Sequence, residues 1–276
     1  MSDTALKALI FDLDDTLVVE EASAAAAFLE TCRLAETRYG IDPESLHQTV
    51  RRTCREIWHH QCPARAYVVD IGISSWEALW SRFSGDGVEL ERLRAWVADY
   101  RRGSWHNALR EHGVDNIDFA TELAEAFPAV RCRRHVVYDD VHGALGQFQQ
   151  SYRLGLLTNG ASDLQREKIA GAGIACYFDE ILVAGDIGAA KPHARMFTTL
   201  LARLGANADE AIMMGDSLIK DVQGAQAVGM KAVWLNRDGA PRHDGITPDL
   251  EVKNLEELQN KAVTGAFFNA LLKGDF

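Results

Sequence analysis

Three patterns of apolar and polar positions follow one another along the chain. Residues Ala8-Leu9-Ile10-Phe11 form a short unbroken apolar run, the pattern of a buried strand. Beyond it, from Glu20 to Pro128, apolar residues recur at helical spacing. The segment 20–40 is rich in alanine, leucine and glutamate, and Gly40 stops it. Pro43 opens a second helix that keeps Leu46, Val50, Cys54 and Ile57 near one face. Residues 61–74, with Pro63 and Gly72, read as a loop. Helices are predicted at 74–83, over most of 88–113, and at 118–127, the last closed by Pro128.

Near Arg131 the pattern changes. Short β-rich runs (134–140, 153–160, 179–185, 210–216 and 230–236) now alternate with helical stretches (141–150, 162–173, 192–205 and 219–229). That alternation predicts a parallel sheet with crossover helices. Residues 237–249, rich in Gly, Pro and Asp, read as a loop, and 255–272 as a closing helix. The expected fold is α/β, a Rossmann-like parallel sheet with helices on both faces, interrupted after its first strand by an all-helical insertion. The expected domains are 1–18 with 132–276 as the core, and 19–131 as a cap over the carboxyl edge of the sheet.

Composition narrows the function. Forty acidic residues against 29 basic ones give a formal charge of -11, and no basic stripe suggests a nucleic-acid polymer as partner. No run approaches the length of a membrane span. The first residues lack the layout of a signal peptide, so a cytoplasmic protein is expected. The five cysteines have no metal-site spacing and read as small buried hydrophobes. An oligomeric state of monomer or homodimer is left open.

Chemistry concentrates at the predicted strand ends. Asp12, Asp14 and Asp15 crowd the end of the first strand, and unpaired buried carboxylates are costly. A hard divalent cation such as Mg²⁺ is one candidate for the compensation, and an acidic cap on a solvent-exposed turn leading into the next helix is the other reading of these residues alone. Thr158-Asn159-Gly160, Lys191-Pro192 and Gly215-Asp216-Ser217, with Asp221 five positions beyond Asp216, lie at the ends of later strands. Open α/β sheets bind ligands at that edge.

The order DLDDTL, TNG, GxxKP and GDSxxxD resembles that of the haloacid dehalogenase-like (HAD) hydrolase superfamily, and the resemblance spans essentially the whole chain. It implies hydrolysis of a small phosphorylated metabolite, such as a nucleotide or sugar phosphate, through a phosphoaspartate with Mg²⁺ as the cofactor. By that resemblance Asp12 is the nucleophile and a metal ligand. Asp14 is the general acid and base, with its main-chain carbonyl on the metal. Thr158 binds a phosphoryl oxygen, Asn159 orients Asp12 or the substrate, and Lys191 balances charge. Asp216 is a direct metal ligand, Asp221 lies one shell further out, and Ser217 supports the loop. Dehalogenases of this fold lack the second aspartate, so the presence of Asp14 disfavours dehalogenation. A phosphomutase or an inert phosphate-binding module are the alternatives. In the cap, His59, His60, Arg65, Arg101, Arg102 and His106 are candidates for recognising the leaving group.

Overall fold

The computed structural model of the protein describes residues 5–242, 245–261 and 266–274. Six strands form one sheet: β1 (Ala8–Phe11), β2 (Arg153–Thr158), β3 (Glu180–Val183), β4 (Ala211–Gly215), β5 (Lys231–Leu235) and β6 (Leu250–Val252). All pair in parallel, in the order β3-β2-β1-β4-β5-β6. The expected α/β class with a Rossmann-like sheet is therefore observed. β1 runs through the middle and all four of its residues are fully buried. Burial on both faces explains the unbroken apolar run, and contributes about 1.5–3 kcal/mol for each of Leu9, Ile10 and Phe11. Phe11 lies level with Leu156 of β2 and Met214 of β4. This register delivers Asp12, Thr158 and Asp216 to one edge.

Between β1 and β2 lie α1 (Glu20–Tyr39), α2 (Pro43–Gln61), α3 (Arg65–Asp70), α4 (Ser75–Ala78), α5 (Val88–Glu111), α6 (Ile117–Arg131) and α7 (Val141–Phe148). α8 (Ser162–Gly171) follows β2, α9 (Ala184–Ile187) and α10 (Ala194–Leu204) follow β3, and α11 (Gly224–Gln226) precedes β5. α12 (Leu255–Lys261) and α13 (Ala266–Lys273) follow β6. The described residues include no helix long and apolar enough to cross a membrane.

The chain divides into two compact units. One comprises Met1–Val19, Val137–Asn159 and Ala172–Phe276 and carries the sheet. The other comprises Glu20–Val136 and Gly160–Gly171, and its described residues contain helices and no strand. In the helical unit Asp42 caps α2 by accepting from the Ser45 amide at 2.8 Å, and Pro43 follows at the first helical position. Ser74 and Glu77 form a reciprocal capping box on α4. Its core is aromatic: Phe28, Trp58, Tyr100, Trp105, Phe119 and Phe127 are buried, and the Phe28 and Phe127 rings lie 4.5 Å apart. The Tyr100 hydroxyl donates to Ser75 O at 2.6 Å, so the ring is buried without stranding its polar end.

Several details differ from the sequence-based expectation. α8 groups with the helical unit, not with the sheet that its chain position suggests. Asp163 accepts from the Arg82 amide at 2.7 Å, and Lys168 pairs with Glu20 and Glu77. α3 lies inside the expected loop 61–74; six residues with one buried side chain carry too little periodicity to read. Pro128 does not close α6, which continues to Arg131 because the Cys132 amide still bonds Pro128 O at 3.0 Å. The run 134–140 forms no strand. Val137 makes a single bridge to Val18, and the chain then turns into α7. β6, three residues long, directly follows the Gly-Pro-Asp loop and was not anticipated. α12 and α13 cover most of the expected closing helix, and residues 262–265 lie outside the described residues. Cys132 and Cys176 are exposed, unlike the buried Cys32 and Cys54.

Candidate active site

The sheet unit gathers charged groups where its strands end. The Asp12 amide donates to Met214 O at 2.9 Å, which carries the strand pairing one residue past β1 and fixes the carboxylate at the edge. Lys191 is buried and its Nζ donates to Asp12 Oδ1 at 2.5 Å and to Asp221 Oδ1 at 2.7 Å. Burial works against the lysine's charge, but Asp12 and Asp221 outweigh it and hold the ammonium well above its usual range. Burial pushes the Asp12 carboxyl up, with Lys191 opposing.

Asp221 sits in a π-helical turn, Leu218–Gln223, that follows β4. Its Oδ2 accepts from the Ser217 amide at 3.0 Å, so both carboxylate oxygens are held by donors of the chain. Gly215 makes this possible: a Cβ there would fall 2.3 Å from Asp221 Oδ2. Ser217 also accepts from the Lys220 amide at 3.2 Å and so braces the turn.

Asp12, Asp216 and Asp221 each offer a carboxylate oxygen, and these atoms lie within 4.8 Å of one another. Burial and the nearby Asp12 and Asp221 push the Asp216 carboxyl up to about 8. Three crowded carboxylates against one lysine leave a negative excess, and hard oxygen donors in this number fit Mg²⁺. The Asp14 side chain is half-buried and is not in that group of three. Asp15 takes a left-handed backbone, φ 57°, in the turn where its amide donates to Val18 O at 2.7 Å. That places it as a turn residue.

Thr158 is buried at the end of β2, and its hydroxyl donates to Asn159 O at 3.3 Å. Asn159 reaches the main chain of Lys191. Its Oδ1 accepts from the Lys191 amide at 2.8 Å and its Nδ2 donates to Lys191 O at 3.1 Å. These two bonds hold the main chain from which the Lys191 side chain reaches Asp12. The Lys191-Pro192 peptide is cis.

The family can now be assigned, because a sequence model of haloacid dehalogenase-like hydrolases matches residues 6–229. The chain belongs to the haloacid dehalogenase-like hydrolases. Phosphoserine phosphatase of Thermus thermophilus is 37% identical to this hydrolase over 254 residues, covering 92% of this chain and 98% of that one. N-acylneuraminate-9-phosphatase of Mus musculus is 27% identical over 263 residues and 94% of each chain. Among solved structures, the putative HAD-hydrolase YfnB of Bacillus subtilis, described as bound to magnesium, superposes with a TM-score of 0.62 at 24% identity. That match covers 93% of this chain and 98% of that one and shows the shared fold. The protein is a HAD-like phosphatase.

The candidates in the helical unit do not converge. His59 Nδ1 lies 2.7 Å from Arg65, Arg102 bonds Asp99 at 2.6 Å, and His106 lies 2.8 Å from Asp115. Arg101 donates to the carbonyls of Ala78 and Ser81. His60 is exposed. These are local helix and loop pairings. Conversely, Thr16 and Trp234 bond Asp216, Arg237 bonds the Thr16 carbonyl and Asp140 pairs with Arg237, and the sequence reading singles out none of the four. Thr16 lies within DLDDTL and could have been, whereas nothing in the local sequence marks the other three.

Proposed function

We propose that this phosphatase hydrolyses a small phosphorylated metabolite with Mg²⁺, through a phosphoaspartate at Asp12. The observation that carries this reading is the Lys191 ammonium held between Asp12 and Asp221, beside Asp216. A carboxylate attacks phosphorus only if the phosphate's charge is offset and the geometry is in line. Asp12 would supply the attacking oxygen, and Lys191 would keep that oxygen ionised and offset charge on the phosphoryl group. Mg²⁺, held by Asp12, Asp216 and the main-chain carbonyl of Asp14 with Asp221 behind them, would neutralise further phosphoryl charge. Asp14 would protonate the leaving alkoxide and then take a proton from the water that cleaves the acyl phosphate. The Thr158 hydroxyl would donate to a phosphoryl oxygen.

The substrate is proposed from the relatives. A phosphatase named for phosphoserine is 37% identical over nearly the whole chain, so O-phosphoserine is the first compound to test. Sugar phosphates and nucleoside monophosphates come next. We place the enzyme in the cytoplasm, as a monomer or homodimer. The phosphatase relatives favour hydrolysis over a mutase or an inert module. The test is phosphate release from such a panel with and without Mg²⁺. Mg²⁺-dependent release that disappears in Asp12→Asn supports the reading, and full turnover in that variant or after chelation contradicts it.

A further inference from the structure

Asp216 is held by groups that lie beyond its own motif. Its amide donates to Thr16 Oγ1 at 3.0 Å, and the same hydroxyl lies 3.4 Å from its Oδ1 as a donor. Its carbonyl accepts from Trp234 Nε1 at 2.7 Å. Thr16 is itself fully buried and is held through its own carbonyl, which accepts from Arg237 Nε at 3.1 Å and Nη2 at 2.9 Å. Arg237 is oriented in turn. Asp140 takes Nη1 and Nη2 in a fork, each at 3.0 Å, and the guanidinium lies 3.8 Å from the centre of the Tyr138 ring. Asp140 is fixed by the Leu255 amide, which donates to Oδ2 at 2.6 Å at the start of α12.

We propose that Arg237 is a positioning residue for the cation side of the active site, acting through Thr16 on Asp216. The proposal rests on the reading of Asp216 as a Mg²⁺ ligand. All three guanidinium nitrogens are committed, in four bonds to three oxygens of two residues, a rigid fork that a flexible ammonium does not reproduce. Thr16 places one hydroxyl against both the amide and the carboxylate of Asp216. Fixing the Thr16 carbonyl therefore fixes the direction in which the Asp216 oxygen points. Ligands without such outer support lose metal affinity, typically about 10- to 100-fold.

The experiment is calorimetric titration of the whole 276-residue chain with Mg²⁺ alone, paired with thermal unfolding in the absence of the metal. Arg237→Met is expected to weaken Mg²⁺ binding about 10- to 100-fold, with Arg237→Lys intermediate. Thr16→Val is expected to weaken it as well, and adding Arg237→Met to Thr16→Val is expected to bring little further loss. Asp216→Asn is the reference. If it binds Mg²⁺ as the wild type does, the metal-ligand reading fails and the proposal falls with it. If Asp216→Asn loses binding while folded Arg237→Met or Arg237→Lys binds as the wild type does, Arg237 is not a positioning residue, whatever its effect on the melting temperature. Full additive losses in the double variant would remove Thr16 from the path. Should Arg237→Met fail to fold, Arg237→Lys and Thr16→Val carry the same decision.

Discussion

At the scale of single residues, the active site is a problem of charge held out of water. Asp12, Asp216 and Asp221 share a space with one lysine, which bonds Asp12 at 2.5 Å and Asp221 at 2.7 Å where little solvent screens the charges. Replacing Asp12 by asparagine keeps the shape and removes the proposed nucleophile, so turnover is expected to fall by at least about 10⁴-fold, as measured by phosphate release. Asn159→Ala acts differently. It removes the two bonds that fix the Lys191 peptide, leaving an amide and a carbonyl without those partners. A loss of about 1–3 kcal/mol in urea unfolding is expected, together with reduced turnover. Unchanged stability would show that the Lys191 peptide is held by other contacts. The types of these residues were legible, because carboxylates, Thr, Asn and Lys at strand ends have few uses in a core. Their partners were not. Nothing in TNG indicates that Asn159 grips a peptide 32 positions away, or that Arg237 reaches back to Thr16.

At the scale of elements, α8 is the instructive case. Its chain position, directly after β2, suggests a crossover helix of the sheet. Its buried charges decide otherwise. Lys168 is fully buried and its Nζ lies 2.9 Å from Glu77 and 3.1 Å from Glu20, while Arg131 bonds Glu20 at 2.6 Å. Lys168→Met leaves carboxylates buried without that partner and is expected to destabilise the helical unit by about 3–5 kcal/mol in denaturant unfolding. The same group predicts a pH dependence. Burial alone would raise the Glu77 carboxyl, but Lys168 and Ser74 hold it below the usual glutamate range. A carboxyl depressed in the folded state stabilises fully above its unfolded value of about 4.3, and that contribution is lost as pH falls through the folded value. The urea midpoint is therefore expected to drop as pH is lowered from about 5, with a shallower drop in Glu77→Gln. An equally steep drop in Glu77→Gln would assign the acid sensitivity to other groups. Helical periodicity revealed α1, α2 and α5 because each is long. It missed α3 and β6 because six or three residues do not complete a pattern.

At the scale of the whole molecule, the sequence order of strands and crossovers was enough to predict a parallel α/β sheet. Apolar runs buried on both faces leave few other arrangements. The division of the chain was less legible, since contacts, and not sequence continuity, assign residues 160–171 to the helical unit. A formal charge of -11 adds a constraint on function: an anionic substrate is met by a protein of the same sign, so the site must supply local positive charge. Lys191 is one such charge, and bound Mg²⁺ is the other in the proposed mechanism. Mg²⁺ at a hundred times its dissociation constant should then stabilise the folded protein by about 2.7 kcal/mol, and this gain should vanish in Asp216→Asn.

The phosphoaspartate at Asp12 is tested most directly by chemical trapping. Active enzyme turning over a phosphate ester with Mg²⁺ is quenched rapidly, reduced with borohydride and mapped by mass spectrometry. Homoserine at position 12, appearing only when substrate was present, is the result predicted. Reduction product at another carboxylate, or phosphate found on a different side chain of the same active enzyme, would contradict it.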